Sequence, residues 1–564
     1  MELRIPEKAE IILHTLEEAG YEAYVVGGCV RDSILGRSPD DWDITTSAKP
    51  EEVKALFRRT VDTGLIHGTV TVMLDKEGFE VTTYRVDGEY EDGRHPKEVS
   101  FTASLEEDLK RRDFTINAMA YNPKRGLVDL FGGVQDMENR IIRCVGNPLE
   151  RFTEDALRIL RAVRFSAQLG FSIEGETLKA ISVLAPNLKY VSAERIKIEL
   201  LKLLVSPHPD YLRTAYEAGI TKEILPEFDR CMETEQNTPH HCYNVGEHTL
   251  QSLLNIRADK VLRLTMLLHD FGKPVVKRTD ENGRDHFKTH GPEGEKMAVS
   301  ILRRLKMDND TIRKVRSLIK WHDYRPKGEA VSVRKAASLI GEELFPLYLE
   351  VQKSDILAQS TYRREEKLAR LTAVSALYEE ILDRGQCISL KTMALTGRDL
   401  IDAGYTPGKE LGEILEKLLV HVLENPEDNK KEILLKLAGT VEESQKTDPS
   451  EDKISWNSED IIRRPGQTRF HSMLVWKEGY IMGLAWNVDA SKYDTVRQID
   501  GKTVCFVQKA ASYADHAPVV NAIRAALRDT KDTGDMKPGE VVVLGVDGPF
   551  GETADQLAQK FPQR

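Results

Sequence analysis

A chain of 564 residues with 40% apolar and 30% charged side chains is too long for one hydrophobic core, and its composition is ordinary for a globular protein of several domains. The net charge of −11 argues against a protein coated by nucleic acid; a local basic groove is still compatible with it, because phosphate binding depends on where Lys and Arg sit. Six scattered cysteines (Cys29, Cys144, Cys231, Cys242, Cys387, Cys505) form no CxxC pair, the start MELRIPEKAE has no apolar signal core, and no apolar run could span a bilayer, so a reducing cytoplasm and no membrane partner are expected.

Residues 1–145 mix strand-like runs (YEAYVVGG, GTVTVML, FEVTTYRV) with short helices, which predicts an α/β head. In VVGGCVRDSILGRSPDDWD a strand runs into Gly27-Gly28 and a helix opens at about Cys29. Two glycines let a ligand approach the backbone, free N–H groups at the helix start favour an anion, and Arg31 adds a cation on the first turn. Asp41 and Asp43 are one residue apart, which in a strand places both carboxylates on one face. Two hard oxygen ligands so close suit Mg²⁺ and an in-line phosphoryl displacement. Taken singly, the glycines also read as a turn and the aspartates as a solvated edge; their order and spacing favour a site. Glu80, in FEVTTYR, reads equally as a third carboxylate or an exposed strand residue. The segment 86–99, VDGEYEDGRHPKEV, is glycine-rich and charged and reads as a mobile loop beside the site.

From about Glu150 to Ala438 the apolar spacing is helical, as in EDALRILRAVRFSAQL, SAERIKIELLKLLV and KELGEILEKLLVHVLENP. Within this region His248, His269, Asp270, His290, His322 and Asp355 form a spread set around a central His-Asp doublet. Imidazoles and carboxylates in this number suit one or two divalent transition-metal ions of unspecified identity, although a lone buried His is more often a satisfied core group. Lys273 reads as a phosphate contact or as a surface residue at a helix end. Residues 441–454, polar and acidic with Pro449, read as a linker. Residues 455–564 carry strand-like runs at YIMGLAW, KTVCFVQ and EVVVLGV, one helix in HAPVVNAIRAALRD, and the closing stretch TADQLAQKF, a small α+β domain of unassigned role. There Arg463, Arg464, Arg469 and Lys477, with Phe470, Trp456 and Trp476, could form an RNA-stacking face; core tryptophans with solvated basic residues are the plainer reading.

VVGGCVRD, DDWDITTSAKP, RRDFTINAMAY, DLFGGVQDMENRIIRCVG and EDALRILRAVRF resemble, in order, the motifs of bacterial class II tRNA nucleotidyltransferases, the CCA-adding enzymes of the DNA polymerase β superfamily. The resemblance covers roughly residues 5–440. It implies a head at 1–145, a neck of nucleobase-selecting helices at 146–220, a body at 221–370 and a helical tRNA-binding tail at 371–440, with tRNA, ATP and CTP as partners and Mg²⁺ as cofactor. It makes Asp41 and Asp43 metal ligands, with Glu80 as a third catalytic carboxylate. It assigns Gly27, Gly28, Arg31, Arg111, Arg112, Asp113 and Arg161 to the incoming nucleotide. It also makes Asp155 and Arg158 a protein template. Three apart on a helix, they would share a face, the Asp accepting from the exocyclic amine of C or A and the Arg donating to a ring nitrogen or carbonyl. An i,i+3 surface ion pair is the bland alternative.

The histidine set resembles the HD-domain phosphohydrolases, in which H…HD…D binds one metal and two intervening His allow a second. That resemblance implies hydrolysis of phosphorylated or cyclised RNA 3′ ends, in a segment integral to the body. Open alternatives are an A-adding or CC-adding specialist, a poly(A) polymerase, a phosphohydrolase with an RNA-binding head, and a C-terminal domain that docks a partner. A homodimer is left open.

Overall fold

The computed structural model describes residues 2–87 and 99–446, and beyond these only the strands 461–462, 473–477, 480–486, 495–499, 502–507 and 541–546. The chain divides into two compact units, Met1–Ala438 and Gly439–Arg564. The helix-by-helix reading of the first unit and the α/β head are both found.

The head is a mixed sheet of β1 (Ala23–Val26), β2 (Ile44–Thr46), β3 (Thr60–Gly64), β4 (Thr69–Leu74), β5 (Glu77–Thr83), β6 (Met119–Asn122) and β7 (Gly126–Asp129), in the order β3-β4-β5-β2-β1-β6-β7. Its one parallel ladder joins β2 to β5. All four residues of β1 are buried because the strand feeds two cores: Ala23 and Val25 join Ile12, Leu13 and Leu16, while Tyr24 and Val26 join Tyr84 and Leu109. The chain leaves β1 through Gly27, at φ +81° and ψ −124°, a conformation open only to glycine, and enters α1 (Gly28–Ile34). The expected loop at 86–99 is entered and left by a short antiparallel ladder, Arg85–Asp87 against Val99–Phe101; residues 88–98 lie outside the described residues.

The neck corrects a prediction. EDALRILRAVRF is not one helix but two, α2 (Pro148–Glu154) and α3 (Leu157–Leu169), interrupted at Asp155, whose φ −143° and ψ 102° are extended. No Gly or Pro marks the break. The Asp155 Oδ1 atom instead accepts from the Leu157 N–H, and Arg195, at the start of α4 (Ala193–Leu204), holds Oδ2.

The body helices are α5 (Val245–Leu254), α6 (Lys260–Leu268), the short α7 (Lys273–Val276), α8 (His290–Arg304), α9 (Asn309–Trp321), α10 (Phe345–Ala358) and α11 (Arg364–Asp383). The Asp259 carboxylate caps α6 by accepting from the Val261 and Leu262 N–H groups. From Leu262 to Leu268 every residue of α6 is buried, Arg263 and Thr265 included, which explains the mostly apolar run before His269. One contiguous apolar cluster extends from Leu3 to Val351, so the histidine-bearing helices share their core with the head.

The linker expected from 441 begins later, because a helix runs from Lys431 to Lys446; a polar, acidic stretch can be helical as readily as coil. The rest of that linker lies outside the described residues. In the second unit β8 (Ile461–Ile462), β9 (Met473–Lys477), β10 (Tyr480–Trp486), β11 (Thr495–Ile499), β12 (Lys502–Val507) and β13 (Val541–Val546) form a sheet in the order β8-β9-β10-β13-β12-β11. The three expected strand runs are among them, with Cys505 in β12 and Lys477 and Trp476 in β9. Trp456, Arg463, Arg464, Arg469, Phe470, the expected helix and the closing stretch lie outside the described residues.

Candidate active sites

At the head, Asp41 and Asp43 do not lie in a strand as expected; they precede β2. The Val26 N–H nevertheless donates to the Asp43 carbonyl at 2.9 Å, so Asp43 continues the ladder onto β1. On its other side, the parallel pairing of Ile44 with Val81 places Asp43 level with Glu80 of β5. Burial, and then the charges of Asp41 and Glu80, push the Asp43 carboxyl up to about 6, with Arg112 opposing them. Asp41 and Glu80 are thus near enough to repel the Asp43 carboxylate, an arrangement that a cation would relieve.

Gly27 serves Arg112 directly. A Cβ at Gly27 would stand 3.1 Å from the Arg112 Nη1 atom, so the glycine lets the guanidinium lie across the strand-to-helix turn. Arg111 and Arg112 are both held by Asp108, a fully buried carboxylate at the i−3 and i−4 positions, which also accepts from the Thr45 hydroxyl at 3.1 Å. Sequence reasoning missed Asp108, although this spacing signals it.

Two residues expected at the nucleotide are engaged elsewhere. Arg31 donates to both Asp32 oxygens and to Asn117 Oδ1 at 2.6 Å, and its guanidinium lies 5.0 Å from the Phe165 ring centre. Asp113 accepts from the Phe114 N–H, Asn117 Nδ2 and both Nε and Nη2 of Arg161, contacts that tie head to neck. Arg161 also reaches Glu199, which accepts from Arg164 Nε at 2.8 Å. Burial by itself would raise the Asp113 carboxyl, but the Arg161 charge and hydrogen bond outweigh it and bring it down to about 2.

That shift sets a pH dependence. A carboxyl lowered in the folded state stabilises fully above its unfolded value near 3.9, and the contribution disappears as pH falls through about 2. Asp113→Asn should therefore cost about 2 kcal/mol at pH 7 and only a few tenths of a kcal/mol at about pH 2, measured as the difference in unfolding free energy between the two proteins at each pH.

Asp155 and Arg158 do not pair with each other, so the bland i,i+3 ion pair is absent. Arg195 Nη2 lies 2.6 Å from Asp155 Oδ2, and Arg158 donates to Glu154 at 2.6 Å and to the Arg111 carbonyl at 3.0 Å. The break at Asp155 removes the shared helix face, yet the Arg158–Arg111 bond still seats Arg158 against the Arg111-Arg112 segment.

In the body the six expected residues converge. His248 and Asp355 lie within α5 and α10, His290 opens α8, and His269 and His322 follow the ends of α6 and α9. His248, His269 and Asp270 form one compact group and Asp270, His290 and His322 a second, with Asp270 common to both. The Nδ1 atoms of His248, His269, His290 and His322 face the carbonyls of Ala358, Met266, Phe287 and Ile319 at 3.3, 2.8, 2.8 and 2.6 Å. With the proton on Nδ1, each Nε2 presents a lone pair inward. The inward nitrogens of His248 and His269 stand 3.3 Å apart and those of His290 and His322 3.0 Å apart. Lone pairs so close repel unless a proton or a metal cation lies between them.

Asp270 Oδ2 is buried and accepts no well-directed hydrogen bond, although Lys273 Nζ is 2.6 Å away. Burial would raise Asp270 and Asp355; His269 and Lys273 beside the first, and His248 and Arg325 beside the second, hold both well below the carboxylate range. Burial and the neighbouring His322 bring His290 down to about 4. Ionised carboxylates are the form that binds a metal. Lys273 is therefore neither at the surface nor at a helix end alone: it is buried, bonded to Gln236 and aimed at the centre. Gly272 makes the convergence possible, since a Cβ there would meet the His290 carbonyl at 2.2 Å. A cavity of about 410 Å³ opens above the histidines, lined also by His240, His241, Arg284, Arg325 and Lys367, none of which the sequence singled out.

Residues 23–143 match the family described as Poly A polymerase head domain, and residues 292–438 match a tRNA nucleotidyltransferase domain 2 family. The CCA-adding enzyme of Levilactobacillus brevis is 36% identical over 435 residues, covering 76% of this chain and 98% of that one. The chain belongs to the CCA-adding enzyme family. The relative from Lactiplantibacillus plantarum is 37% identical over 442 residues, covering 78% of this chain and 97% of its own. Among solved structures, the Bacillus stearothermophilus CCA-adding enzyme in complex with CTP is 30% identical with a TM-score of 0.57, and the alignment covers 78% of this chain and 98% of that one. Membership explains the head, neck and helical body as one architecture of a family of nucleotidyltransferases.

Proposed function

We propose that the chain adds C, C and A to the 3′ end of tRNA from CTP and ATP, with no nucleic-acid template. The observation that carries this is the match over 98% of the length of a relative named CCA-adding enzyme, together with Asp41, Glu80 and Arg112 near enough to act on the Asp43 carboxylate. The terminal ribose hydroxyl of the tRNA attacks the α-phosphorus of the nucleotide, a P–O bond forms, the bond to pyrophosphate breaks, and the hydroxyl proton is released. Asp41, Asp43 and Glu80 would hold Mg²⁺, which neutralises charge on the attacking and leaving oxygens. Arg111 and Arg112, set by Asp108, face the phosphates. Asp155, set by Arg195, and Arg158, set by Glu154, read the base edge. Residues 1–145 serve as head, 146–220 as neck, 221–370 as body and 371–440 as tail.

The body adds a second reading: a metal-dependent phosphohydrolase of HD type that acts on phosphorylated or cyclised RNA 3′ ends. The inward nitrogens, and the buried Asp270 Oδ2 that accepts no well-directed hydrogen bond, favour it. His248, His269, Asp270, His290, His322 and Asp355 would hold a divalent transition metal that supplies Lewis acidity. Water adds at phosphorus, the bond to the ribose oxygen breaks, and that oxygen takes up a proton.

The deciding assay supplies tRNA lacking its terminus with CTP alone, ATP alone or both. Two C residues from CTP and a single A only when both are present is the expected result. A single A from ATP alone marks an A-adding enzyme, arrest after CC with both present marks a CC-adding one, and a long A tract marks a poly(A) polymerase.

A further inference from the structure

The cavity above the histidines is built for more than the phosphate that the metal centre would take. Its wall is the hairpin of Arg278–Thr279 and Asp285–His286, and that hairpin is fixed. Asp285, 5% exposed, accepts from the Asn237 N–H at 2.7 Å, from Thr279 Oγ1 at 2.6 Å and from Lys277 Nζ at 3.0 Å. Arg284 and Lys288, just before and after this anchor, line the cavity from that wall. Lys367 of α11 lines it too, donating to Gln359 Oε1 at 2.6 Å, while Gln359 Nε2 donates to the metal-facing Asp355 at 2.9 Å.

The charges do not balance. Of the five Lys and Arg residues lining the cavity, Lys273 pairs with Asp270 and Arg325 with Asp323 and Asp355. The lining carboxylates are used up: Asp270 and Asp355 within the histidine cluster, Asp285 by Lys277, Asp323 by Arg325. Arg284, Lys288 and Lys367 have no carboxylate partner among the described residues. His240, whose environment includes the charges of Lys367 and Arg284, carries a buried Nδ1 with no hydrogen-bond partner, and so does His241. Uncompensated cations in a concave wall concentrate positive potential and create a place for an anion. Lys367 is separated from the histidine centre by the Gln359 amide, and Arg284 reaches the cavity from the hairpin, which holds none of the six converging residues.

We infer that Arg284, Lys288, Lys367 and His240 form a second phosphate subsite, so that the substrate of the body site carries another phosphate beside the one that is hydrolysed. This rests on the phosphohydrolase reading of the histidine centre. The second phosphate has two sources, the internal phosphodiester of an RNA end or the free 5′-phosphate of a small nucleotide.

Phosphate release by the full chain with Mn²⁺ is measured on a ribonucleoside 3′-monophosphate, a dinucleotide with a 3′-terminal phosphate, and a nucleoside 3′,5′-bisphosphate. A two-phosphate substrate should exceed the monophosphate by about tenfold or more in kcat/KM, the scale of one charge-assisted contact. Preference for the dinucleotide assigns the RNA end; preference for the bisphosphate assigns the small nucleotide. Arg284→Ala alone should shrink the preference, Arg284→Ala with Lys367→Ala should bring it to about one, and Arg284→Lys should restore most of it. Equal rates on all three substrates, or a preference that survives the double substitution, overturns the subsite. If no substrate releases phosphate, the hydrolase reading fails, and equilibrium binding of the dinucleotide 3′-phosphate then decides the subsite. Binding weakened by the double substitution supports it, and unchanged affinity overturns it.

Discussion

Asp43→Ala should lower incorporation of CMP and AMP into truncated tRNA by about three orders of magnitude, on the scale of the several kcal/mol that charge neutralisation at the reacting oxygens supplies. The same substitution should leave the melting temperature unchanged or higher. Asp43 is held between Asp41 and Glu80, with its carboxyl pushed up to about 6 by burial and by those two charges, so the folded chain gains by losing it. A residue kept where it destabilises the fold is kept for what it binds. Labelled nucleotide incorporation and a thermal melt of the same preparation test both halves. Incorporation within tenfold of the unsubstituted chain would remove Asp43 from the metal site, and a large drop in melting temperature would make it a structural residue.

The head site was legible because its chemistry is local. Gly27 announces a positive φ, Asp41 and Asp43 lie two apart, and Arg111-Arg112-Asp113 are consecutive, so one short window contains most of each motif. Partners distant in sequence were not legible. Asp155 reads as helical because nothing in EDALRIL breaks a helix; the partner that draws its carboxylate away is Arg195, forty positions on. Asp113 reads as a nucleotide contact until Arg161 and Asn117 are seen to occupy it. The histidines were readable as a set of residue types, but their division into two groups sharing Asp270 depends on how α5, α6, α8, α9 and α10 cross. The cavity's cations could not be read at all, since Arg284 and Lys367 are unremarkable until a hairpin and a distant helix line one cavity with them.

Asp270→Ala should abolish metal binding in the body, whereas His290→Ala should remove only half of it. The full chain, freed of metal and then supplied with Mn²⁺ in excess, is expected to retain two tightly held equivalents beyond those of the head, because two ligand groups meet in one carboxylate. Asp270 Oδ2 lies 3.2 Å from His269 Nε2, and its Oδ1 lies 3.6 and 3.7 Å from the Nε2 atoms of His290 and His322. Removing the shared carboxylate breaks both groups, while His290→Ala leaves His248, His269, Asp270 and Asp355 intact. Metal content by mass spectrometry counts the equivalents, with Asp43→Ala as background to suppress the head. Thermal unfolding gives a second reading: at a hundredfold excess over the dissociation constant, bound metal stabilises by about 2.7 kcal/mol per site, and chelation removes it. In the Asp43→Ala background, the melting temperature of Asp270→Ala should not respond to metal at all. Wild-type chain that holds no metal in the body and melts alike with and without Mn²⁺ would return these four histidines to the core. Nucleotide incorporation by Asp270→Ala, in the otherwise unsubstituted chain, should persist because the head carries its own carboxylates; its loss would mean that transfer depends on the body site, and the two readings would collapse into one.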